Sequence, residues 1–279
     1  MTRPGVIEAD RVRLIACDID GTLVLDGRVV SPELKGIFGR LRARGIEVTL
    51  STGRLPHWSA AVAEELGLDG YVICTEGGHV LHRLTREPVH YAALPPAVVH
   101  VVAQLAESDP AISLAGMGDD VIWATSDEAA RRAHWWGRNC RRVADIREAP
   151  PPVLLVLFGP GDSTATAVSV LREVLGDNAG VVVHDAEDQG GYAHAKISSR
   201  QTDKGVGAEH LVRRLGRSLS EVLVFGDYLN DLGIMRRAGY SICPRGAHPQ
   251  VMGLATRVSP WSAAEGFVAR ELRQLFGHI

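Results

Sequence analysis

The sequence has few cysteines, no excess of positive charge and no long hydrophobic run, and each absence narrows the class of protein. The four cysteines, Cys17, Cys74, Cys140 and Cys243, are widely separated and show no paired metal-ligand spacing. No disulfide or zinc framework is therefore expected. The net charge of -3 and the spread of lysine and arginine along the chain provide no basic surface for nucleic acid or an anionic membrane.

The N-terminal segment and the apolar runs bear on localisation. Residues 1–10 lack the apolar stretch of a signal peptide, and no uninterrupted apolar run approaches the length of a membrane span. We therefore expect a cytoplasmic protein. Its 279 residues, 46% hydrophobic and 23% charged, are enough for one large or two modest globular domains.

A strand that ends in two aspartates is the most informative local pattern. An apolar run leads into Asp18-Ile19-Asp20-Gly21, and residues two apart leave a strand on the same side, so both carboxylates can face one reacting centre. Gly21 lets the backbone turn close to a ligand. A calcium-binding loop is excluded, because Val29 stands where the loop requires an acidic residue. Ordinary turn chemistry of the Asp-Gly pair stays open at this point.

Short β-branched apolar runs alternate with helical patterns, which is typical of an α/β fold with a parallel sheet covered by helices. The predicted strands are residues 12–17, 46–50, 71–74, 221–225 and 240–243. The predicted helices start at Ser31-Pro32-Glu33, cover residues 56–68, 204–215 and 229–238, and end with a terminal helix opened by a capping box at 262–265. The Asp-Gly pair at residues 26–27, between apolar arms, predicts a hairpin.

Residues 89–190 follow a pattern of their own. Helices are predicted near Pro95 and over residues 127–139 and 164–175, and strands over residues 112–114, 121–124, 153–158 and 181–184. This separate apolar periodicity predicts an inserted α/β domain. We expect a core of residues 1–82 and 191–279, and a cap of residues 83–190.

Further polar residues stand where open parallel sheets bind their ligands, beyond the carboxyl ends of the strands. They are Thr52-Gly53-Arg54 after the second strand, Gly-Asp-Tyr-Leu-Asn-Asp at residues 226–231 after a late strand, and Lys204 at the start of the helix before that strand. Each has a simpler interpretation, as a helix cap, a dipole-favoured acid or a solvated lysine. In combination with the first aspartate pair they form a set suited to phosphoryl transfer.

These motifs, in this order, resemble the motifs of the haloacid dehalogenase-like superfamily, and within it the Cof-type, class IIB phosphatases. Residues 18–23 are similar to the first motif, 52–54 to the second, 204–205 to the third and 226–231 to the fourth. The match covers nearly the whole chain. The resemblance implies a Rossmann-like, doubly wound parallel sheet core with a large α/β cap inserted between the second and third motifs.

The resemblance also implies a mechanism and a Mg2+ cofactor. Asp18 would attack phosphorus and become an aspartyl phosphate, while Asp20 would act as acid on the leaving alcohol and as base on the attacking water. Mg2+ would be held by Asp18, by the backbone carbonyl of Asp20 and by Asp227.

Further residues are implied to surround the phosphoryl group. Thr52, Gly53 and Lys204 would bind its oxygens, and Asn230 would join them or orient Asp18 or Lys204. Two more residues would support this set without binding the phosphoryl group themselves. Asp231 would act through Lys204 or a metal-bound water, and Arg54 would be the second supporting residue.

Two departures from the family pattern and one aromatic cluster concern the substrate. Glu76 stands where these proteins often have asparagine, and Lys196-Ile197 where they often have Glu-Ile. Both positions are expected near the junction of core and cap, where they signal either an altered pocket or ordinary drift. The cluster of His134, Trp135, Trp136 and Arg138 could stack on a sugar or aromatic ring, or simply pack in the cap.

The sequence thus predicts a Mg2+-dependent phosphatase of a small phosphorylated metabolite. Sugar phosphates are the preferred class, and phosphorylated cofactor precursors and nucleotides stay open. A phosphomutase of the same fold and a non-catalytic phosphometabolite-binding protein are the alternatives. No dinucleotide or P-loop fingerprint is present, and neither nucleic acid nor membrane is an expected partner. The sequence gives no indication of oligomeric state.

Overall fold

The chain forms two compact units. The computed structural model describes residues 6–134, 139–176, 180–184, 187–188 and 191–277. The first unit comprises Met1–Gly53, Ser59–His90 and Asp203–Ile279, and the second comprises Arg54–Trp58 and Tyr91–Thr202. The divisions after residues 90 and 202 lie later in the chain than the predicted boundaries after residues 82 and 190, and Arg54–Trp58, which we expected in the core, belong to the second unit.

The elements follow one another in α/β order. Up to residue 91 they are β1 (Leu14–Cys17), β2 (Val24–Leu25), β3 (Arg28–Val29), α1 (Leu34–Ala43), β4 (Glu47–Ser51), α2 (Pro56–Glu65), β5 (Tyr71–Cys74), β6 (His79–His82) and β7 (Pro88–Tyr91). The second unit continues with α3 (Pro96–Ser108), β8 (Ser113–Gly118), β9 (Val121–Ala124), α4 (Asp127–Ala133), β10 (Cys140–Arg142), β11 (Leu154–Pro160), α5 (Gly161–Leu175), β12 (Val181–Val183), β13 (Glu187–Asp188) and β14 (Tyr192–Ser199). The first unit resumes with α6 (Lys204–Arg214), β15 (Val222–Phe225), α7 (Leu232–Arg237), β16 (Tyr240–Cys243), α8 (Pro249–Leu254), β17 (Arg257–Val258) and α9 (Phe267–Phe276).

A sheet in the order β17-β16-β15-β1-β4-β5-β6-β7 forms the centre of the first unit. The strands from β17 to β5 pair in parallel, and β6 joins β5 antiparallel. Alternate residues of β1 face opposite sides: Ile15 and Cys17 pack with α1, α2 and α9, whereas Leu14 and Ala16 pack with α6, α7 and α8. Both faces are covered, so the predicted doubly wound parallel core is confirmed.

The second unit has its own sheet, in the order β10-β9-β8-β11-β14-β12 with β13 beside β14. Its pairs are antiparallel except β9 with β10. Residues of β11 alternate between two apolar clusters: Leu155 and Leu157 pack with α3 and α5, and Leu154 and Val156 pack with α4. An inserted domain of mixed α and β structure is therefore present, as predicted.

Several predicted element boundaries are wrong. The helix expected at Ser31 begins at Leu34, because residues 32 and 33 form a turn in which the Ser31 carbonyl accepts the N–H of Leu34. The capping box at Ser262 encloses a separate 3-10 turn, and α9 begins only after Gly266, whose φ is 69°. Residues 192–199, which we expected in the core, form a strand of the second sheet.

Other local predictions hold. The hairpin expected at Asp26-Gly27 is the β2–β3 pair. No helix of the described residues is long and apolar enough to cross a membrane.

Candidate active site

Asp18 and Asp20 follow β1 at the carboxyl edge of the first sheet. The backbone N–H of Asp18 continues the ladder by donating to the carbonyl of Phe225 at 2.9 Å, which brings the end of β1 next to the end of β15. The Asp18 side chain is buried and Asp20 is exposed. The two carboxylates therefore lie in different environments.

Lys204 connects Asp18 to the late motif. Asp203 caps helix α6 by accepting the N–H groups of Gly205 and Val206, so Lys204 is the first helical residue. Its Nζ lies 2.7 Å from Oδ1 of Asp18 and 2.7 Å from Oδ1 of Asp231, and its side chain has no exposed surface. The solvated-lysine interpretation of the sequence is therefore wrong.

Asp231 is held on both of its oxygens. Oδ1 accepts from Lys204, and Oδ2 accepts the backbone N–H groups of Asp227 at 3.0 Å and Tyr228 at 3.2 Å. A Cβ placed on Gly226 would lie 2.4 Å from the carboxyl carbon of Asp231, so the loop after β15 closes around this side chain only because residue 226 is glycine. Asp231 thus fixes both the loop and the lysine.

Asp227 completes an acidic cluster. Carboxylate oxygens of Asp18, Asp227 and Asp231 lie within 4.8 Å of one another. The hydroxyl of Thr22, which sequence reasoning missed as a site residue, donates to Oδ1 of Asp227 at 2.9 Å. Gly21 has a φ of 81°, and a Cβ there would lie 2.4 Å from Oδ2 of Asp227. The backbone of the first motif therefore packs directly against the Asp227 side chain of the fourth motif.

Burial is the largest single influence on the pKa values of Asp18, Asp227 and Lys204. It raises the pKa of Asp18 well above the ordinary value, although the Lys204 ammonium opposes the shift. It also raises the pKa of Asp227 to about 6, although the hydrogen bond from Thr22 favours the ionised form. Burial acts to lower the pKa of Lys204, but the charges of Asp18 and Asp231 outweigh it and raise that pKa. Lys204 therefore stays protonated, and a metal ion or a bound proton can further stabilise the acidic groups around it.

The second motif lies beside Glu76. Thr52 is buried after β4, and its carbonyl accepts the N–H of Glu76 at 3.1 Å. The Nδ2 of Asn230 donates to Oε2 of Glu76 at 3.1 Å, and the roles expected for Asn230, at the phosphoryl group or in orienting Asp18 or Lys204, stay predictions. A Cβ on Gly53 would lie 2.6 Å from Oε1 of Glu76. The structure thus groups Thr52, Gly53 and Asn230 around a carboxylate that the motifs did not assign.

The remaining sequence candidates belong to the second unit or fall outside the described residues. Arg54 belongs to the second unit, and Lys196 lies in β14 of the same unit. Of the aromatic cluster, Trp135, Trp136 and Arg138 lie outside the described residues. The contacts of Thr22 and Glu76 join segments far apart in sequence, so no local pattern marks them.

The haloacid dehalogenase-like hydrolase family model matches residues 15–272. The chain belongs to this family. It is 28% identical over 243 residues to the HMP-PP phosphatase of Escherichia coli strain 55989, with 86% of each protein covered. The resemblance drawn from the motifs is confirmed.

Solved structures agree with this assignment at the level of the fold. A haloacid dehalogenase-like hydrolase from Bacteroides thetaiotaomicron has a TM-score of 0.81 at 21% identity, covering 95% of this chain and all of that one. A sugar phosphatase of haloacid dehalogenase subclass IIB has a TM-score of 0.74 at 19% identity, covering 96% of this chain and all of that one. The prediction of an enzyme is likewise confirmed: the chain is a haloacid dehalogenase-like hydrolase, and two of these relatives are named phosphatases.

Proposed function

We propose that this hydrolase is a Mg2+-dependent phosphatase that cleaves a small-molecule phosphomonoester through an aspartyl phosphate on Asp18. The observation that carries the proposal is the buried network in which Lys204 holds Asp18 and Asp231 at 2.7 Å each. A carboxylate is a weak nucleophile, so it needs fixed orientation and neighbouring positive charge before it attacks a phosphoryl group. Lys204 provides both to Asp18.

The acidic cluster fits a Mg2+ ion. Its donors are carboxylate oxygens, the ligands that this hard cation prefers, with no histidine or cysteine among the three clustered side chains. Both oxygens of Asp231 are engaged by Lys204 and by backbone N–H groups. We therefore assign the ion to Asp18, Asp227 and the backbone carbonyl of Asp20. When bound, Mg2+ would neutralise charge on the phosphoryl oxygens.

In the first step, an oxygen of Asp18 forms a bond to phosphorus and the bond from phosphorus to the leaving alcohol breaks. Asp20, exposed beside the buried Asp18, donates a proton to the departing oxygen. In the second step Asp20 takes a proton from water, the water oxygen bonds to phosphorus, and the acyl phosphate bond breaks. Inorganic phosphate leaves, and both aspartates return to their starting states.

The non-bridging phosphoryl oxygens need hydrogen-bond donors around the line of attack. We assign Lys204, the hydroxyl of Thr52 and the backbone of Gly53 to this task, because all three lie at the same edge of the first sheet. The amide of Asn230 borders the same group through its hydrogen bond to Glu76. A sugar phosphate is the preferred substrate class, and the name of one structural relative, a sugar phosphatase, supports that choice.

Replacement of the two aspartates tests this mechanism. Asp18→Asn should lower phosphate release from p-nitrophenyl phosphate by about a thousandfold or more, because the nucleophile is lost. Asp20→Asn should instead accumulate phosphoenzyme on this substrate, whose leaving group needs no acid but whose intermediate still needs a base. Stopped-flow absorbance and radiolabelled enzyme would measure the two outcomes.

Asp10→Asn, at an exposed position of the same unit, serves as the control for loss of a carboxylate. A folded Asp18→Asn protein with near-normal turnover would refute the proposed nucleophile. With a sugar phosphate as substrate, formation of the isomer faster than of free phosphate would favour a mutase.

A further inference from the structure

The side chain of Glu76 lies among the residues assigned to the phosphoryl group, yet the mechanism gives it no role. Its Oε2 accepts the amide of Asn230 at 3.1 Å, and its backbone N–H donates to the carbonyl of Thr52 at 3.1 Å. Together with Asp18 and Asp231, its charge holds the pKa of Lys204 high against the effect of burial. A carboxylate here is unexpected, because it repels the phosphoryl dianion that its neighbours bind.

The backbone holds Glu76 in this place at a conformational cost. Thr75 and Glu76 have φ values of 51° and 55°, in the left-handed region that glycine favours and that is a genuine outlier for β-branched threonine. Gly77 follows with a φ of 89°, where a Cβ would lie 2.2 Å from the carbonyl oxygen of Asp203. Strained residues persist only where their surroundings fix them. The turn after β5 therefore directs the Glu76 side chain into the site.

The carboxylate is also packed against the second motif. A Cβ on Gly53 would lie 2.6 Å from Oε1 and 3.0 Å from the carboxyl carbon of Glu76. Residue 53 has to be glycine for this contact to exist. The charged group thus lies directly on the backbone that follows Thr52, next to the place where the phosphoryl group is proposed to bind.

We propose that Glu76 determines specificity by accepting a hydrogen bond from a hydroxyl of the leaving alcohol, and so selects polyol phosphates such as sugar phosphates. This inference rests on the proposed phosphatase function. An ionised carboxylate accepts hydrogen bonds and cannot donate them, so the group that faces it has to be a donor. The phosphoryl dianion has no donor, whereas the organic part of a sugar phosphate has several. A substrate without a hydroxyl cannot form this hydrogen bond to a charged acceptor and is bound less tightly.

Competition against p-nitrophenyl phosphate hydrolysis measures this preference without requiring the competitor to be a good substrate. The probes are glycerol 3-phosphate, which carries hydroxyl donors, n-propyl phosphate, which carries none, and inorganic phosphate. In Glu76→Gln the inhibition constant of glycerol 3-phosphate should rise about tenfold relative to that of n-propyl phosphate. The inhibition constant of inorganic phosphate should fall severalfold, because a like charge has been removed.

Glu76→Asn separates this role from a structural one. Asparagine tolerates the left-handed backbone better than glutamate does, so this variant should melt at the same or a higher temperature than the wild type. It should still lose the preference for glycerol 3-phosphate, because the shorter neutral side chain does not provide the charged acceptor. Glu65→Gln, which removes an exposed carboxylate at the end of α2, is the matched control.

Two results would overturn the inference. One is an equal change of the inhibition constants of glycerol 3-phosphate and n-propyl phosphate in Glu76→Gln. The other is a loss of the preference for glycerol 3-phosphate that parallels the fall in melting temperature across the Glu76 variants. Failure of the proposed function is distinguishable, because the wild-type enzyme would then release no p-nitrophenol. Calorimetric titration of inorganic phosphate with Mg2+ would in that case still show whether removal of the Glu76 charge strengthens anion binding, and no strengthening would contradict the proposal.

Discussion

A lysine side chain without exposed surface lies between two buried aspartates in the first unit. Removal of one partner of a buried ion pair leaves an uncompensated charge, which costs far more than the pair itself contributes. Lys204 has two such partners, Asp18 and Asp231. The stability of the first unit and its chemistry therefore depend on the same ammonium group.

Lys204→Met is expected to lower the free energy of unfolding by about 3–5 kcal/mol at pH 7.5. The loss should shrink as the pH falls, because burial has already raised the pKa of Asp18 and protonation then removes one of the two facing charges. Urea unfolding at several pH values measures the effect. Lys35→Met, at an exposed position of α1, is the control. A loss below about 1 kcal/mol at pH 7.5 would mean that Asp18 and Asp231 are not both ionised.

At the scale of elements, the loop after β1 and the hairpin that follows it contain two glycines with similar backbone conformations and different surroundings. Gly21 has a φ of 81° and faces Asp227. Gly27 has a φ of 75°, and apart from its chain neighbours no described residue has a heavy atom within 4 Å of its would-be Cβ. Alanine at either position bears the same left-handed backbone cost. Only at Gly21 does the added methyl group also collide with a carboxylate.

Gly21→Ala is therefore expected to lower kcat/KM at least tenfold and to weaken Mg2+ binding, because Asp227 has to move. Gly27→Ala should lose about 1 kcal/mol of stability and keep its activity. Steady-state kinetics over a range of Mg2+ concentrations, with urea unfolding of both variants, makes the comparison. Equal kinetics of the two variants would show that the contact between the first and fourth motifs is dispensable.

The elements that carry the site could be predicted from sequence because their apolar runs are continuous. The run before Asp18 and the run before Asp227 are entirely buried strands, β1 and β15. Strand β14 was misassigned to the core because Tyr192–Ser199 is rich in polar residues, and its place is fixed by pairing with β11. Likewise, no local signal reveals that Glu76 meets Asn230, since the two residues lie 154 positions apart.

At the scale of the whole molecule, the acidic cluster makes stability depend on pH, and a bound metal ion is expected to change that dependence. The ordinary pKa of an aspartate is 3.8, and that of Asp227 is raised to about 6 in the folded protein. The folded state therefore holds this proton more tightly than the unfolded chain does. The stabilisation that this group provides is present below about pH 4 and is lost as the pH rises through about 6.

Mg2+ should accordingly raise the melting temperature of the metal-free protein more at pH 7.5 than at pH 5, because at pH 5 a proton already occupies Asp227. Differential scanning calorimetry at the two pH values, with Ca2+-free buffer and saturating Mg2+, tests this expectation. Asp227→Asn should reduce the difference, and the part that persists is expected from Asp18, whose pKa burial also raises. A larger Mg2+ effect at pH 5 would contradict the assignment of Asp227 as a metal ligand.

The division of the molecule into two units could be predicted, but not its boundaries. Each sheet has a separate apolar core, which the change of periodicity near residue 89 indicated. The chain passes between units at Gly53–Arg54 and at Thr202–Asp203, directly beside Thr52 and Lys204. These crossings follow β4, which pairs with β1 and β5, and β14, which pairs with β11 and β12, and composition does not record such pairing.

Three carboxylates of the candidate active site rest against glycines: Asp227 against Gly21, Glu76 against Gly53 and Asp231 against Gly226. At each place the negative group occupies the space in which another residue would carry its first side-chain carbon. The site thus depends on the absence of a Cβ atom at Gly21, Gly53 and Gly226. Replacement of one of these glycines by alanine adds a single methyl group and can disrupt the site. The site therefore tolerates fewer substitutions than its small number of acidic residues suggests.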